Sequence, residues 1–286
     1  MKKTAVVLVF LILWVLMAPP LKVSISFDLE RDPPLATEGR TTFRGVDQVP
    51  EILDLLERHD AKATFFVTGR VVDRFSSLLN EIEGRGHEIG VHGAFYHDEH
   101  LKGLSVAEQR EKIDNTAESI QNLTGRAPKG YRAPGHLFDG NTLLALRDLN
   151  FTYDSSAVPS VGGWYLYGHP LYTPAYPYFH REMNILEIPI TPVLFDGNID
   201  SLLAYQGTLL TKIELSWVVL KAKVGGAPLV LYLHPSMMAD LENSPKDYRA
   251  SASRVHQFEE ILSFLDLFNP RYTTLEEIAL DFSLES

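Results

Sequence analysis

The chain has no cysteine. Disulfides and thiol chemistry are therefore excluded, and any bound metal must be held by histidine, aspartate or glutamate. Positive charge is scarce: 26 Lys and Arg stand against 37 Asp and Glu, a net charge of -11. That balance argues against a nucleic-acid partner, which needs a basic face. No internal repeat and no long linker breaks the 286 residues, of which 45% are hydrophobic, enough for one core of ordinary size. Long apolar runs are also absent, with one exception. Lys2 and Lys3 precede an unbroken apolar run from Ala5 to Ala18, short against the ~20 residues of a spanning helix but the size of a secretory core. Residues 1–20 are thus expected to be a signal peptide or an N-terminal membrane anchor, with residues 21–286 exported to the cell surface or beyond. Cleavage after Ala18 would put bulky Leu16 where a small residue is preferred.

From Leu21 onward strand-like and helix-like stretches alternate. In the stretch Lys22–Pro34, Val23, Ile25 and Phe27 alternate with Ser24 and Ser26, which predicts a strand ending at Asp28. Further strands are expected at Ala63–Val67, Glu88–Val91, Gly130–Arg132, Phe151–Asp154, Ile185–Ile190 and Leu229–Leu233. Helices are expected at Val46–Arg58, Val71–Arg85, Ser105–Thr124, Asn141–Leu149, Leu209–Val224 and Val255–Phe268, with a last one opened by Thr274 and Glu277. Ser105 and Glu108 form a capping-box pattern, and Gly125 closes that helix. The order βαβα implies a mostly parallel sheet or barrel. Pro159–Tyr178, rich in Pro, Gly and Tyr around Trp164, reads as a long loop over one end of the sheet. Its aromatics could stack on sugar rings or pack on the barrel itself.

Chemistry gathers at strand ends. Asp28, His92, Arg132, Asp154 and His234 each fall at the carboxyl end of an expected strand, and a parallel barrel brings such ends together. Asp28 and Glu30 stand beside each other after the first strand, and His92, His97 and His100 follow the third. Imidazoles with one carboxylate are a common zinc set that leaves a position open for water. Arg132 lies in GYRAPGH, where its permanent charge can keep a carboxylate ionised and Gly135 lets backbone approach a ligand. His234 leaves the apolar strand Leu229–Leu233 into a Pro-bounded turn, as a general acid poised near neutral pH would. His87, just before a strand, reads as structural.

These segments resemble the polysaccharide deacetylase family, the NodB-homology or carbohydrate esterase family 4 group. The matching motifs are SFDLE at Ser26–Glu30, HGAFYH at His92–His97, YRAPG at Tyr131–Gly135 and LYLHP at Leu231–Pro235. KATFFVTG at Lys62–Gly69 and GHEIGVH at Gly86–His92 match as well. The resemblance runs from about Lys22 to Thr274 in the family's motif order, and it leaves the N-terminal segment outside. It implies a distorted (β/α) barrel of about seven parallel strands that removes N- or O-acetyl groups from sugars, N-acetylated ones first, with one divalent metal, usually zinc. By the same resemblance Asp28 is the catalytic base, and Glu30, His92 and His97 are the metal ligands, with His100 the alternative to His97. Two departures stand out: Leu29 fills the usual place of the metal carboxylate, and Tyr96 that of the second histidine. Arg132 corresponds to the residue holding the base, the amide near Gly135 to the oxyanion donor, His234 to the general acid, and Asp154 to a supporting acid that orients it.

The expected partner is an N-acetylated polysaccharide or oligosaccharide, with a membrane added if the N-terminal segment stays uncleaved. In that case the short spacer Pro19–Leu21 would hold the amino ends of the strands toward the bilayer and the catalytic face outward. Two other readings fit the same residues: a barrel that binds glycans without turning them over, and an amidohydrolase of a small soluble amide.

Overall fold

The computed structural model describes residues 20–33, 41–159, 175–192, 207–239 and 252–285. The N-terminal segment expected to be a signal peptide or anchor, apart from Pro20, and the expected aromatic loop around Trp164 lie outside the described residues.

Among the described residues nine strands form one sheet: β1 (Lys22–Leu29), β2 (Ala63–Val67), β3 (Glu88–His92), β4 (Gly130–Arg132), β5 (Tyr153–Asp154), β6 (Tyr178–His180), β7 (Ile185–Glu187), β8 (Leu229–Leu233) and β9 (Arg271–Tyr272). They are ordered β6-β7-β5-β4-β3-β2-β1-β8, with β9 paired to the start of β1. From β7 to β8 the path is seven parallel strands, as expected; β6 is antiparallel to β7. The sheet curls into a distorted half-barrel. Its seam is bridged where the Thr191 amide donates to the Val230 carbonyl at 3.0 Å and the Val230 amide to Thr191 Oγ1 at 2.7 Å.

The described helices are α1 (Val49–Arg58), α2 (Gly69–Arg74), α3 (Ser76–Gly84), α4 (Val106–Thr124), α5 (Gly140–Asp148), α6 (Gly207–Gly225), α7 (Ala252–Asp266) and α8 (Leu275–Glu285). The helix expected over Val71–Arg85 is two, because Phe75 leaves helical geometry and packs at a tilt against Phe43 and the main core. α4 starts and stops as its sequence dictates: the capping box of Ser105 and Glu108 is formed, and Gly125 takes the left-handed conformation.

Period-2 alternation divides the strands between two environments. Val23, Ile25, Phe27 and Leu29 join Ala63, Phe65 and Val67 in the core shared with the surrounding helices. Phe66, Tyr153, Leu186, Ile188 and Val230 form a second cluster with Leu275, Ile278 and Ala279 of α8, which plugs the barrel. Glu88 fastens the plug by accepting the Glu276 amide at 2.9 Å, the Thr64 hydroxyl at 2.8 Å and the Tyr153 hydroxyl at 2.6 Å. His87 is structural, as expected, accepting the Ala63 amide on Nδ1.

Candidate active site

Register decides which strand-end residues meet. Parallel partners in a sheet point to the same face, and Asp28 pairs with Phe66, Phe66 with Gly90, and His92 with Arg132. Asp28, His92 and Arg132 therefore share the barrel interior. Leu233 pairs with Phe27 on the other face, so His234, one residue on, arrives beside Asp28. Gly90 makes space at this level: a Cβ there would lie 2.7 Å from the Phe66 ring. That ring carries the Arg132 guanidinium, 4.3 Å from its centroid, with Tyr232 at 5.0 Å.

Arg132 is fully buried, and the neighbouring strand takes up most of its donors. Nε donates to the Ser155 carbonyl at 2.9 Å, Nη2 to Ser155 Oγ at 3.0 Å and Nη1 to Asp28 Oδ1 at 2.9 Å. Burial alone would raise the Asp28 carboxyl, but His92 and Arg132 outweigh it and hold the group below its usual range. Asp28 is thus an ionised carboxylate in a dry setting, aimed by a fixed cation.

Beside it, one oxygen of Glu30 lies 2.9 Å from His92 Nε2 and 2.8 Å from His97 Nε2. His92 Nδ1 donates to the Arg132 carbonyl at 3.0 Å, which turns Nε2 toward Glu30 and, at 3.5 Å, toward Asp28. Nitrogen against carboxylate at that distance calls for a positive charge between them, a proton on Nε2 or a bound metal ion. Burial favours a neutral imidazole, yet Asp28 and Glu30 reverse that preference and raise the His92 pKa. Burial likewise would raise Glu30, while its bonds to His92 and His97 hold it well below the normal carboxylate range. Donor atoms of Glu30, His92 and His97 all lie within 4.8 Å of one another. Two imidazoles and a carboxylate gathered so closely fit a divalent metal. Arg31, whose Nε donates to Asp98 at 2.9 Å, ties the His97 loop to the end of β1. His100 is outside this group but near Gly135, where a Cβ would lie 4.0 Å from its ring.

Gly135, at φ +59°, turns the chain directly after β4. The turn is pressed against the His92 strand, since a Cβ on Gly93 would meet Pro134 at 2.3 Å. His234 Nε2 stands 3.8 Å from the second Glu30 oxygen and 2.9 Å from the Tyr232 hydroxyl. Asp32, buried, accepts the Arg44 and Gly45 amides at 2.7 and 2.9 Å, and the loop it holds packs Gly45 on Ser236 of the His234 turn.

Asp154 does not join them. It pairs in register with Tyr131 and Glu187, on the face opposite Arg132. There it accepts the Ser156 hydroxyl at 2.5 Å, and Ser156 Oγ in turn accepts the Ala133 amide at 2.8 Å. Its hydrogen bonds lead to the backbone beside Arg132 rather than to His234. Sequence reasoning missed Ser155, Phe66 and Tyr232, the residues that hold Arg132. Only Tyr232 carried a signal, its place two residues before His234 on an apolar strand.

Residues 21–153 match the family model described as polysaccharide deacetylase. A peptidoglycan deacetylase from Helicobacter pylori is 33% identical over 118 residues, covering 41% of this chain and 40% of that protein. A peptidoglycan-N-acetylglucosamine deacetylase from Bacillus cereus is 35% identical over 113 residues, 39% of this chain and 40% of that protein. The matched stretch thus spans 40% of the length of each of these relatives. A solved structure described as a probable polysaccharide deacetylase from Pseudomonas aeruginosa PAO1 superposes with a TM-score of 0.67 at 18% identity, over 91% of this chain and 93% of that one. The likeness establishes a shared fold, the NodB-like distorted (β/α) barrel.

Proposed function

We propose that the chain, whose residues 21–153 match the polysaccharide deacetylase family model, is a member of that family and a metal-dependent hydrolase removing acetyl groups from N-acetylated sugars of a cell-envelope or extracellular polysaccharide. One observation carries the reading. A single Glu30 oxygen is shared by His92 and His97 beside a carboxylate, Asp28, that Arg132 holds ionised.

Glu30, His92 and His97 would hold the metal, and their donor set favours zinc. A divalent ion bound there supplies Lewis-acid polarisation of the acetyl carbonyl and a more acidic water. Asp28 takes the proton of the attacking water, its free oxygen Oδ2 facing the ligand cluster while Oδ1 is tied to Arg132. The backbone N–H near Gly135 receives the developing oxyanion. His234 protonates the leaving amine, with the Tyr232 hydroxyl orienting its ring. Asp154 supports the site through Ser156 and the Ala133 amide. The peptidoglycan deacetylases among the relatives favour a cell-wall glycan as the substrate. Export by way of residues 1–20 places the enzyme where such a polymer lies.

The test is elemental metal analysis beside acetate release from N-acetylglucosamine oligomers and peptidoglycan. A bound divalent ion is expected, lost together with acetate release in His92→Ala. No metal and no acetate from any polymer would sink the reading in favour of a glycan-binding barrel. His234→Ala is expected to retain the metal while activity drops by about 10²–10⁴-fold; unchanged activity would remove His234 from the mechanism.

A further inference from the structure

Helix α6 has two apolar faces, and only one is covered. Leu215, Val218, Val219 and Ala222 are buried against the barrel. On the opposite side Leu209, Leu210, Ile213, Trp217, Leu220 and Val224 are each between 41% and 73% exposed. At 3.6 residues per turn these six fall within an arc of about 100°, a continuous stripe along the whole helix. Isolated exposed leucines need no explanation, but an apolar patch of this extent marks an interaction surface.

The borders of the stripe identify what covers it. Lys212, already paired with Glu260 of α7 at 2.9 Å, and Lys223 run along one edge, and Lys221 along the other. The one acid of the helix, Glu214, is buried. A second copy laid on this face would set lysine against lysine. Anionic headgroups complement them, with the apolar stems reaching along the stripe and the ammonium groups reaching outward.

The foot of the helix adds a second observation. Pro20 and Leu21 line one cleft with Ala222, Lys223 and Phe282, so the apolar run Ala5–Ala18 joins the described chain at the end of α6 where the stripe finishes. The exposed Tyr176 packs across Gly225 at the same end, about two turns along the helix from Trp217, and both are residues that favour a membrane interface. Among the described residues no helix is long and apolar enough to cross a membrane; α6 suits the surface of one.

We infer that α6 docks the domain on an anionic lipid surface, lying in the headgroup plane with the Leu209–Val224 stripe buried among acyl chains. A stripe about 23 Å long can be covered only if the helix lies flat. Because α6 runs alongside the strands and returns the chain to the start of β8, the barrel would lie on its side. Its catalytic rim would then sit level with the membrane surface instead of facing straight out from it.

Trp217 reports on this directly. In the full chain carrying Trp14→Phe and Trp164→Phe it becomes the sole indole. With vesicles of phosphatidylcholine and phosphatidylglycerol its emission is expected to shift to the blue and to be quenched by bromine on the acyl chains. Ile213→Glu with Leu220→Glu, both at exposed positions, is expected to abolish the quenching with unchanged circular dichroism, even if the N-terminal run still binds the vesicle. Unquenched emission from vesicle-bound protein would overturn the inference. So would emission already blue-shifted without lipid: concentration dependence would assign the face to a second copy, and its absence to the chain's own residues.

Discussion

The barrel buries two sets of carboxyl groups in opposite charge states. Asp28 and Glu30 lie inside it next to Arg132, His92 and His97, and both are held below their normal range although burial pushes them up. Glu187 and Asp154 lie on the outer face of the same sheet with no comparable cation. Burial raises Glu187 to about 7, and it raises Asp154 well above its ordinary value, with the neighbouring Glu187 adding to the effect. A proton shared between the two facing groups satisfies oxygens that otherwise lack a partner. Depth does not separate the two sets. A cation within reach makes a reactive base, and its absence makes a structural acid.

The most severe way to break this contrast is Arg132→Met. It removes the cation under Asp28 while keeping much of the side-chain volume between Phe66 and Tyr232. Stripping one partner from a buried ion pair costs about 3–5 kcal/mol, so urea denaturation should show a loss of that order, and acetate release should vanish. A variant as stable as the parent would mean that Asp28 does not depend on Arg132.

Stability against pH should carry opposite signs for the two sets. Glu187, raised from 4.5 to about 7, contributes stability that is complete below pH ~4.5 and is lost as pH rises through about 7. Glu88, also raised to about 7 by burial, has the same sign. Asp28 and Glu30 contribute stability present above the ordinary carboxylate range and lost on acidification. Glu187→Gln keeps a group that can donate toward Asp154 and removes one titration. It should reduce the loss of stability between pH 5 and 8 by roughly 3 kcal/mol, leaving the Glu88 share. An unchanged slope would show that Glu187 is ionised throughout.

The smallest change sharpens the comparison at the boundary between the two faces. Ser155 accepts Arg132 Nη2 on its hydroxyl oxygen and donates to the Ile188 carbonyl at 2.8 Å. Ser155→Ala should cost about 1.5–3 kcal/mol, the range for a hydrogen bond to a charged group. It should lower acetate release less than Arg132→Met, because the Ser155 carbonyl still holds Nε. Equal loss in both variants would make the hydroxyl, not the ion pair, the element that aims Asp28.

The alternation of β1, the βαβ order, the α4 caps and the ends of the strands at Asp28, His92, Arg132 and Asp154 were all legible in the sequence. Each depends on neighbours along the chain: apolar residues at a fixed period, a serine three residues before a glutamate, a glycine free to adopt positive φ. The break at Phe75 was not legible, since a core contact with Phe43 overrides a good local helix pattern. Nor were Phe66 and Ser155, whose roles exist only because Gly90 yields space and β5 lies beside β4.

Asp28, Glu30, His92 and His97 were named through the resemblance of their motifs, with His100 left as the alternative to His97, and those motifs are written along the chain. Which strand ends face each other is not written there. Side chains alternate with a period of two, so one residue of register separates the barrel interior from its outer face. Register is a relation between strands. It placed Arg132 against Asp28 and sent Asp154 to Glu187, and pairing in three dimensions alone could decide it.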